Sequence, residues 1–151
     1  NDLLELILKR LRPIAAKKNI EVVLESFRPV TAEVDESRLT LAFTNLVENA
    51  IKYNKENGWV HVSLDADHKF FYVKVEDNGV GIPKEFQERV FERFYRVDRS
   101  RSRDTGGTGL GLAIVKHVIQ RHGGQVKIES QMGVGSVFRL QFPADRVRQL
   151  S

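Results

Sequence analysis

The chain has 151 residues, of which 41% are hydrophobic and 29% charged, a composition typical of a folded globular domain. It contains no cysteine, so disulfides, thiolate metal sites and a cysteine nucleophile are excluded. No apolar run approaches the ~20 residues of a membrane-spanning helix, and the net charge of +4 is modest.

The first half of the chain is predicted to combine helices with short strands. Apolar residues at helical spacing predict a helix over residues 2–18. Short strands are predicted over residues 20–25 and 30–34, on either side of a proline-containing turn. Asp35 is a favourable N-cap for a helix that ends near Asn54.

Two hairpins and two more helices are predicted in the second half. Period-two alternation of β-branched or aromatic residues predicts strands 59–66 with 70–76 and 125–130 with 136–142. The helices are predicted over residues 83–91 and 110–121, and the polar tail from Ala144 is predicted to fray. Hairpins in place of regular βαβ alternation predict helices on one face of a mixed sheet.

Residues 92–108 contain charges and glycines without any period, which predicts a loop. Its length is typical of a lid or a binding segment. Five arginines lie in or beside it, at positions 93, 96, 99, 101 and 103. Such a cluster suits nucleic acid, the phosphates of a small ligand, or solubility alone.

The helix after Asp35 carries a polar stripe opposite its apolar side. At 3.6 residues per turn, the stripe holds Asn45, Glu48, Asn49 and Lys52. Each asparagine costs roughly 0.5–0.7 kcal/mol relative to alanine inside a helix. Amide oxygens, a carboxylate and a lysine can hold a hard cation and its phosphates. A solvated helix face is the alternative, and this helix alone does not distinguish the two.

A second motif, Asp77-Asn78-Gly79-Val80-Gly81-Ile82, follows the second strand of the first hairpin. Its two glycines allow left-handed backbone geometry and the close approach of a ligand. The Asp77 carboxylate can accept a hydrogen bond from an exocyclic amine. A tight turn capped by an aspartate is the alternative explanation.

A third motif is glycine-rich, spans residues 105–112 and leads straight into a helix. Backbone N–H groups at such a helix start, together with the helix dipole, form an anion site. A Walker loop is excluded because Leu112-Ala113 stands where Lys-Ser/Thr is required. A dinucleotide fingerprint is excluded because no strand precedes the glycines.

These motifs, in this order, resemble the catalytic ATP-binding domain of sensor histidine kinases, within the GHKL superfamily shared with DNA gyrase and heat-shock chaperones. The matching segments are the asparagine box (45–53), the first glycine box (77–81), the phenylalanine box (91–96), the second glycine box (107–111) and the last one (133–136). The resemblance implies an α+β fold of the Bergerat type. It would be a two-layer sandwich with a mixed five-stranded sheet and three helices on one face.

The resemblance also implies roles for individual residues. Asn49 would bind Mg²⁺, with Asn45 beside it, while Lys52, Arg96 and Arg93 would contact the phosphates of ATP. Tyr53 would pack against adenine, and Asp77 would accept a hydrogen bond from its amine. The other residues expected around the nucleotide are Gly79, Gly81, Ile82, Gly107, Thr108, Gly109, Leu110, Gly111 and Ser136.

The phosphoacceptor of the family is a histidine followed by an acidic residue, and none of the four histidines here has that neighbour. They are His61, His68, His117 and His122. The acceptor is therefore expected on a separate dimerisation domain. Residues 1–19 would be the end of a dimerisation helix or linker, residues 20–143 the catalytic domain, and residues 144–151 a tail.

We therefore expect a monomeric, cytoplasmic domain of a parent protein that is either soluble or membrane-anchored. It would bind Mg·ATP and donate the γ-phosphate to that histidine in two-component signalling. A response regulator would be an indirect partner, and nucleic acid would not be one. The alternatives are a GHKL ATPase and a regulatory nucleotide-binding module. Asn45 argues against hydrolysis because hydrolytic relatives carry a glutamate base at that position.

Overall fold

The computed structural model of the protein describes residues 1–26, 30–32, 35–67, 69–81, 111–143 and 147–149. The described helices are α1 (Asp2–Ala16), α2 (Glu36–Lys52) and α3 (Gly111–Arg121). The described strands are β1 (Glu21–Ser26), β2 (Val30–Ala32), β3 (Trp59–Ala66), β4 (Phe70–Asp77), β5 (Gln125–Gln131), β6 (Gly135–Pro143) and β7 (Val147–Gln149). The predicted helix over 83–91 and the predicted loop over 92–108 lie outside the described residues.

Five strands form one mixed sheet in the order β1-β3-β4-β6-β5. The two predicted hairpins, β3–β4 and β5–β6, are confirmed as antiparallel pairs, and β4 pairs with β6 between them. β1 runs parallel to β3, with Val22 opposite Val60. A parallel pair needs a long crossover connection, and the chain between β1 and β3 contains α2.

The sheet has one apolar face, which the described helices cover. Along β3 the side chains of Val60, Val62 and Leu64 are buried, whereas those between them point to the other face and are more exposed. Phe142 of β6 stacks on Phe71 of β4, with ring centroids 4.5 Å apart. The two-layer α+β sandwich expected from the family resemblance is confirmed, with three described helices over a mixed five-stranded sheet.

Helix α1 belongs to the same core. Its buried side chains are Leu4, Ile7, Leu8, Leu11 and Ala15. The apolar stripe that the sequence shows here therefore packs against the rest of this chain, on α2 and β1. That residues 1–19 also form the end of a dimerisation helix stays a prediction.

The carboxyl-terminal tail differs from the prediction that it frays. Residues 147–149 form β7, which pairs antiparallel with β2 in a separate two-stranded sheet. β1 and β2, neighbours in sequence, thus belong to different sheets. β2 and β7 have only three residues each, which are too few for an alternation of side chains to indicate a ladder of backbone hydrogen bonds. Within the described ranges, no helix is both long and apolar enough to cross a membrane.

Candidate functional site

On the inner face of the sheet, the row of paired side chains on β4 and β6 ends in a polar pair, Asp77 and Ser136. Successive inner pairs across these strands are Phe71–Phe142, Val73–Leu140 and Val75–Phe138, followed by Asp77–Ser136. Because side chains alternate along a strand, Asp77 projects to the same side as the three apolar pairs. The carboxyl thus lies on the helix-covered side of the sheet, at the strand end.

The Asp77 carboxyl is held by backbone donors in a poorly solvated position. Its Oδ1 accepts a hydrogen bond from Gly79 N at 2.9 Å, and the backbone N–H of Ser136 also donates to the carboxyl. Burial raises the pKa of Asp77 to about 6, although these two hydrogen bonds act in the opposite direction. An oriented carboxylate of this kind is a strong acceptor for a ligand N–H group.

The glycines after Asp77 are required by close packing within the protein. A Cβ at Gly79 would lie 2.6 Å from Tyr53 O and 2.9 Å from the Cα of Asn54. Gly81 has φ +80°, and a Cβ there would collide with Gln131 O. Both neighbours are backbone, so neither can move aside as a side chain would. The tight-turn explanation and the ligand-site explanation of these glycines are therefore both compatible with the structure.

Backbone hydrogen bonds join this segment to two other parts of the chain. Val80 N donates to Tyr53 O at 3.2 Å, just beyond the end of α2. Gly133 N, in the turn between β5 and β6, donates to Val80 O at 3.0 Å. The fold thus brings together the end of the asparagine box, the first glycine box and the last glycine box.

Ser136 is fixed by a hydroxyl pair. Its Oγ lies 2.7 Å from the Oγ of Ser130, which donates to Gly135 O at 3.0 Å. With the Ser130 proton used in that way, the Ser136 hydroxyl is the donor between the two. Ser136 is only 6% exposed, and its backbone N–H is the group that meets Asp77.

Helix α2 has the two faces that its spacing predicts. Leu46, Val47, Ala50 and Ile51 are buried, and Asp35 caps the first turn by accepting from Arg38 N at 3.1 Å. On the other face, Asn45, Glu48 and Asn49 are half-buried, whereas Lys52 and Tyr53 are exposed.

The donor set on this stripe fits a hard divalent cation. Amide and carboxylate oxygens are the ligands that Mg²⁺ takes from proteins, with phosphates and water completing its shell. Among the described residues, no group of three or more His, Asp and Glu side chains is arranged to hold a metal ion. Asn49 and Asn45 would therefore have to act together with oxygens of the ligand.

Several predicted site residues lie outside the described ranges. They are Ile82, Arg93, Arg96, Gly107, Thr108, Gly109 and Leu110. Gly111 is described as the first residue of α3.

Two asparagines to which the sequence analysis assigned no role, Asn54 and Asn78, support the site. Asn54, 6% exposed, donates from Nδ2 to Trp59 O at 3.0 Å and accepts from Lys55 N at 2.8 Å. Asn78 accepts from Trp59 N at 2.7 Å through its Oδ1. Both amides thereby fix the start of β3 against the end of α2 and the first glycine box. An asparagine in a turn looks the same in sequence whether or not it makes such a bond.

A groove of about 530 Å³ lies on the opposite face of the sheet. Charged groups of both signs line it, among them Glu25, Asp65, Lys74 and Lys127. None of the predicted site residues within the described ranges lines this groove. It is therefore separate from the site at the end of β4.

Comparison with known proteins relates the chain to one family. A family model described as "Histidine kinase-, DNA gyrase B-, and HSP90-like ATPase" matches residues 34–146. The sensor-like histidine kinase SenX3 of Mycolicibacterium smegmatis is 47% identical over 130 residues, which cover 85% of this chain and 34% of that protein. The chain spans about a fifth to a third of the length of the curated relatives that it matches.

Two solved structures have a similar fold. The mycobacterial sensor histidine kinase MprB matches with a TM-score of 0.83 at 30% identity, covering 99% of this chain and 95% of that one. Full-length ShkA in complex with AMPPNP matches with a TM-score of 0.79 at 32% identity, covering 94% of this chain and 29% of that one.

Proposed function

Since this chain belongs to the histidine kinase-, DNA gyrase B- and HSP90-like ATPase family, we propose that it binds Mg·ATP and donates the γ-phosphate to a histidine on a separate dimerisation domain. The observation that carries the proposal is the position of Asp77. Its carboxyl lies at the end of the row of inner side chains on β4 and accepts a hydrogen bond from Gly79 N. The segment that follows Asp77 is bonded to the end of α2, because Val80 N donates to Tyr53 O.

The Asp77 carboxylate is proposed to recognise adenine. It accepts a hydrogen bond from the exocyclic amine, whereas the carbonyl of guanine at the same place would face it as a second acceptor. Tyr53 is 39% exposed beside this segment and offers a ring face to the base. ShkA, 32% identical to this chain, was solved with the ATP analogue AMPPNP, which supports an adenine nucleotide as the ligand.

The polar stripe of α2 is proposed to face the phosphates. Asn45 precedes Tyr53 by eight residues, which is about 12 Å of helix, so a nucleotide can extend along the stripe from its base. Asn49 would hold Mg²⁺ by its amide oxygen, with Asn45 beside it on the phosphate side, and Lys52 would add a positive charge. The metal, when bound, neutralises charge on the phosphates, and the protein supplies mainly positioning and electrostatic stabilisation.

The acceptor of the phosphoryl group is proposed to lie outside this chain. In the transfer, the bond between the γ-phosphorus and its bridging oxygen breaks, a phosphorus–nitrogen bond forms, and ADP leaves. Two of the described histidines are engaged with neighbouring groups of the fold. His122 accepts from Asp35 N at 3.2 Å, with its other ring nitrogen 2.9 Å from Val118 O. His61 stacks on Trp59, with ring centroids 4.4 Å apart.

The proposal extends to the setting of the domain in the cell. The domain would act as a monomer on the cytoplasmic side and dock transiently on the histidine-bearing domain of its parent. A response regulator would then receive the phosphate from that histidine.

Incubation with γ-labelled ATP and Mg²⁺ tests the proposal. We expect no label on this chain alone and little phosphate release, because no histidine of its sequence is followed by an acidic residue and Asn45 stands where hydrolytic relatives carry a glutamate base. Adding the dimerisation domain should give acid-labile, base-stable label on that domain, and Asn49→Ala should abolish it. Rapid phosphate release from the isolated chain would indicate an ATPase instead, and label on the chain itself would contradict the separate acceptor.

A further inference from the structure

The Lys18 side chain reaches across the fold to the end of α2. Lys18 lies in the turn after α1, and its ammonium donates to three backbone carbonyls. The distances are 3.2 Å to Ile51 O, 3.1 Å to Lys52 O and 2.8 Å to Asn54 O. These carbonyls are separated from Lys18 by 33 to 36 residues in sequence. Lys18 O also accepts from Asn57 N at 3.0 Å.

Two of the carbonyls that Lys18 binds, those of Ile51 and Lys52, belong to the last turn of α2, and Asn54 lies just beyond the end of the helix. The last carbonyls of a helix have no N–H donor within it, and its dipole places negative charge there. A cationic side chain both satisfies these acceptors and complements the dipole. Here one ammonium binds two of these helix carbonyls and the carbonyl of Asn54 in the turn that follows, so the shape of that turn depends on where Lys18 lies.

The same turn is bonded to the candidate site on its other side. Between the carbonyls of Lys52 and Asn54 lies that of Tyr53, which accepts from Val80 N at 3.2 Å. Tyr53 N in turn donates to Asn49 O at 3.1 Å. The turn that Lys18 holds therefore carries Tyr53 and anchors the glycine segment that follows Asp77.

We infer that Lys18 is a positioning residue for nucleotide binding, acting through the turn after α2 without contacting the ligand. The inference rests on the proposed function for its ligand, since the affected groups are those assigned to ATP. Lys18 sets the distance between Tyr53 and the Asp77–Gly81 segment by fixing the backbone that both share. Loss of its ammonium should loosen that backbone while the core below it stays packed.

The test compares Lys18→Met with Lys17→Met in the full chain. Methionine keeps an apolar stem and removes the ammonium, and Lys17 is an exposed lysine in the same turn. The first measurement is amide hydrogen exchange without nucleotide. Lys18→Met should accelerate exchange at Val80 by about tenfold, as expected for loss of a charged hydrogen-bond partner. Exchange at Val73 in the sheet should not change.

The second measurement is the ATP affinity of each folded variant by calorimetry. We expect about tenfold weaker binding for Lys18→Met, wild-type binding for Lys17→Met, and recovery in Lys18→Arg, which keeps a cationic donor. Should Lys18→Met not fold, Lys18→Gln removes the charge and keeps N–H donors, and it is measured in its place.

Each outcome decides the inference. Equal exchange at Val80 in the two methionine variants overturns it, and so does uniform acceleration at Val80 and Val73, which indicates a general loss of stability. Unchanged ATP affinity in Lys18→Met also overturns it. If the wild-type chain binds no ATP, the proposed function fails, and the exchange at Val80, measured without nucleotide, decides whether Lys18 positions this segment.

Discussion

Asp77 has a carboxyl whose titration should be visible in the stability of the protein. Burial raises its pKa from 3.8 to about 6, so the folded state binds this proton more tightly than the unfolded state. The resulting stabilisation is fully present below about pH 3.8 and is lost as the pH rises through about 6. Above that pH, the charged carboxylate stays partly desolvated in the folded protein.

We therefore predict that the unfolding free energy of Asp77→Asn increases relative to that of the wild type as the pH rises. Because each pKa unit corresponds to about 1.4 kcal/mol, the difference in unfolding free energy should shift by on the order of 1–3 kcal/mol between about pH 4 and pH 8. Urea unfolding of both proteins at the two pH values measures it. A shift of the opposite sign would show that the folded protein favours the charged form.

The same carboxyl should select the base of the nucleotide. A site built around one hydrogen-bonding pattern rejects the alternative because its polar groups are left unpaired. We expect ATP to bind and GTP to bind at least a hundredfold more weakly, on the scale of about 3 kcal/mol for a charged hydrogen bond. Calorimetry with both nucleotides measures this, and Asp77→Asn should lose most of the ATP affinity. Similar affinities for ATP and GTP would show that Asp77 does not recognise the base.

At the scale of elements, the contact between α2 and the glycine segment is made by backbone on both sides. A methyl group at Gly79 would meet Tyr53 O and the Cα of Asn54 at 2.6 and 2.9 Å. Since neither atom belongs to a flexible side chain, the two elements must separate. Such overpacking typically lowers the unfolding free energy by about 1–3 kcal/mol.

Gly79→Ala is therefore expected to lower the unfolding free energy by about 2 kcal/mol and to weaken ATP binding together with it. Gly133→Ala is a useful comparison. It lies in the turn that contacts Val80, has φ +79°, and has nothing within 4 Å of an added Cβ. Gly133→Ala should lower the unfolding free energy by about 1–2 kcal/mol because alanine disfavours a positive φ, and it should leave the ATP affinity unchanged. Equal affinity in both variants would mean that the spacing at Gly79 is unimportant for the ligand.

At the scale of the whole molecule, α1 completes the core. Leu8 is fully buried, whereas Leu6 on the same helix is 45% exposed. We predict that Leu8→Ala lowers the unfolding free energy by about 3 kcal/mol, a typical cost for a buried leucine. Leu6→Ala should change it by less than about 1 kcal/mol. If urea unfolding gave similar values, α1 would not be docked on the core in solution.

Elements governed by local periodicity could be predicted from the sequence. The hairpin of β3 and β4 follows from its alternation, and α2 follows from Asp35 and its apolar spacing. The pairing of β2 with β7 could not be predicted, because strands of three residues are too short to indicate a partner. The contact of Lys18 with the carbonyls after α2 could not be predicted either, since it depends on how α1 and α2 pack. The five motifs indicated the candidate site, but the junction of Tyr53, Val80 and Gly133 required the strand register.

The parallel pairing of β1 with β3 should also set the order in which the protein folds. β1 cannot pair with β3 until the chain between them has formed a closed loop. Closing that loop loses conformational entropy, and the docking of α2 on the sheet compensates for this loss. The transition state for folding should therefore contain α2, β3 and β4, with β1 added later. In stopped-flow measurements, Val47→Ala in α2 should mainly slow refolding, and Val22→Ala in β1 should mainly speed unfolding. The helix proposed to bind the phosphates would then be in place before the outer edge of the sheet is complete.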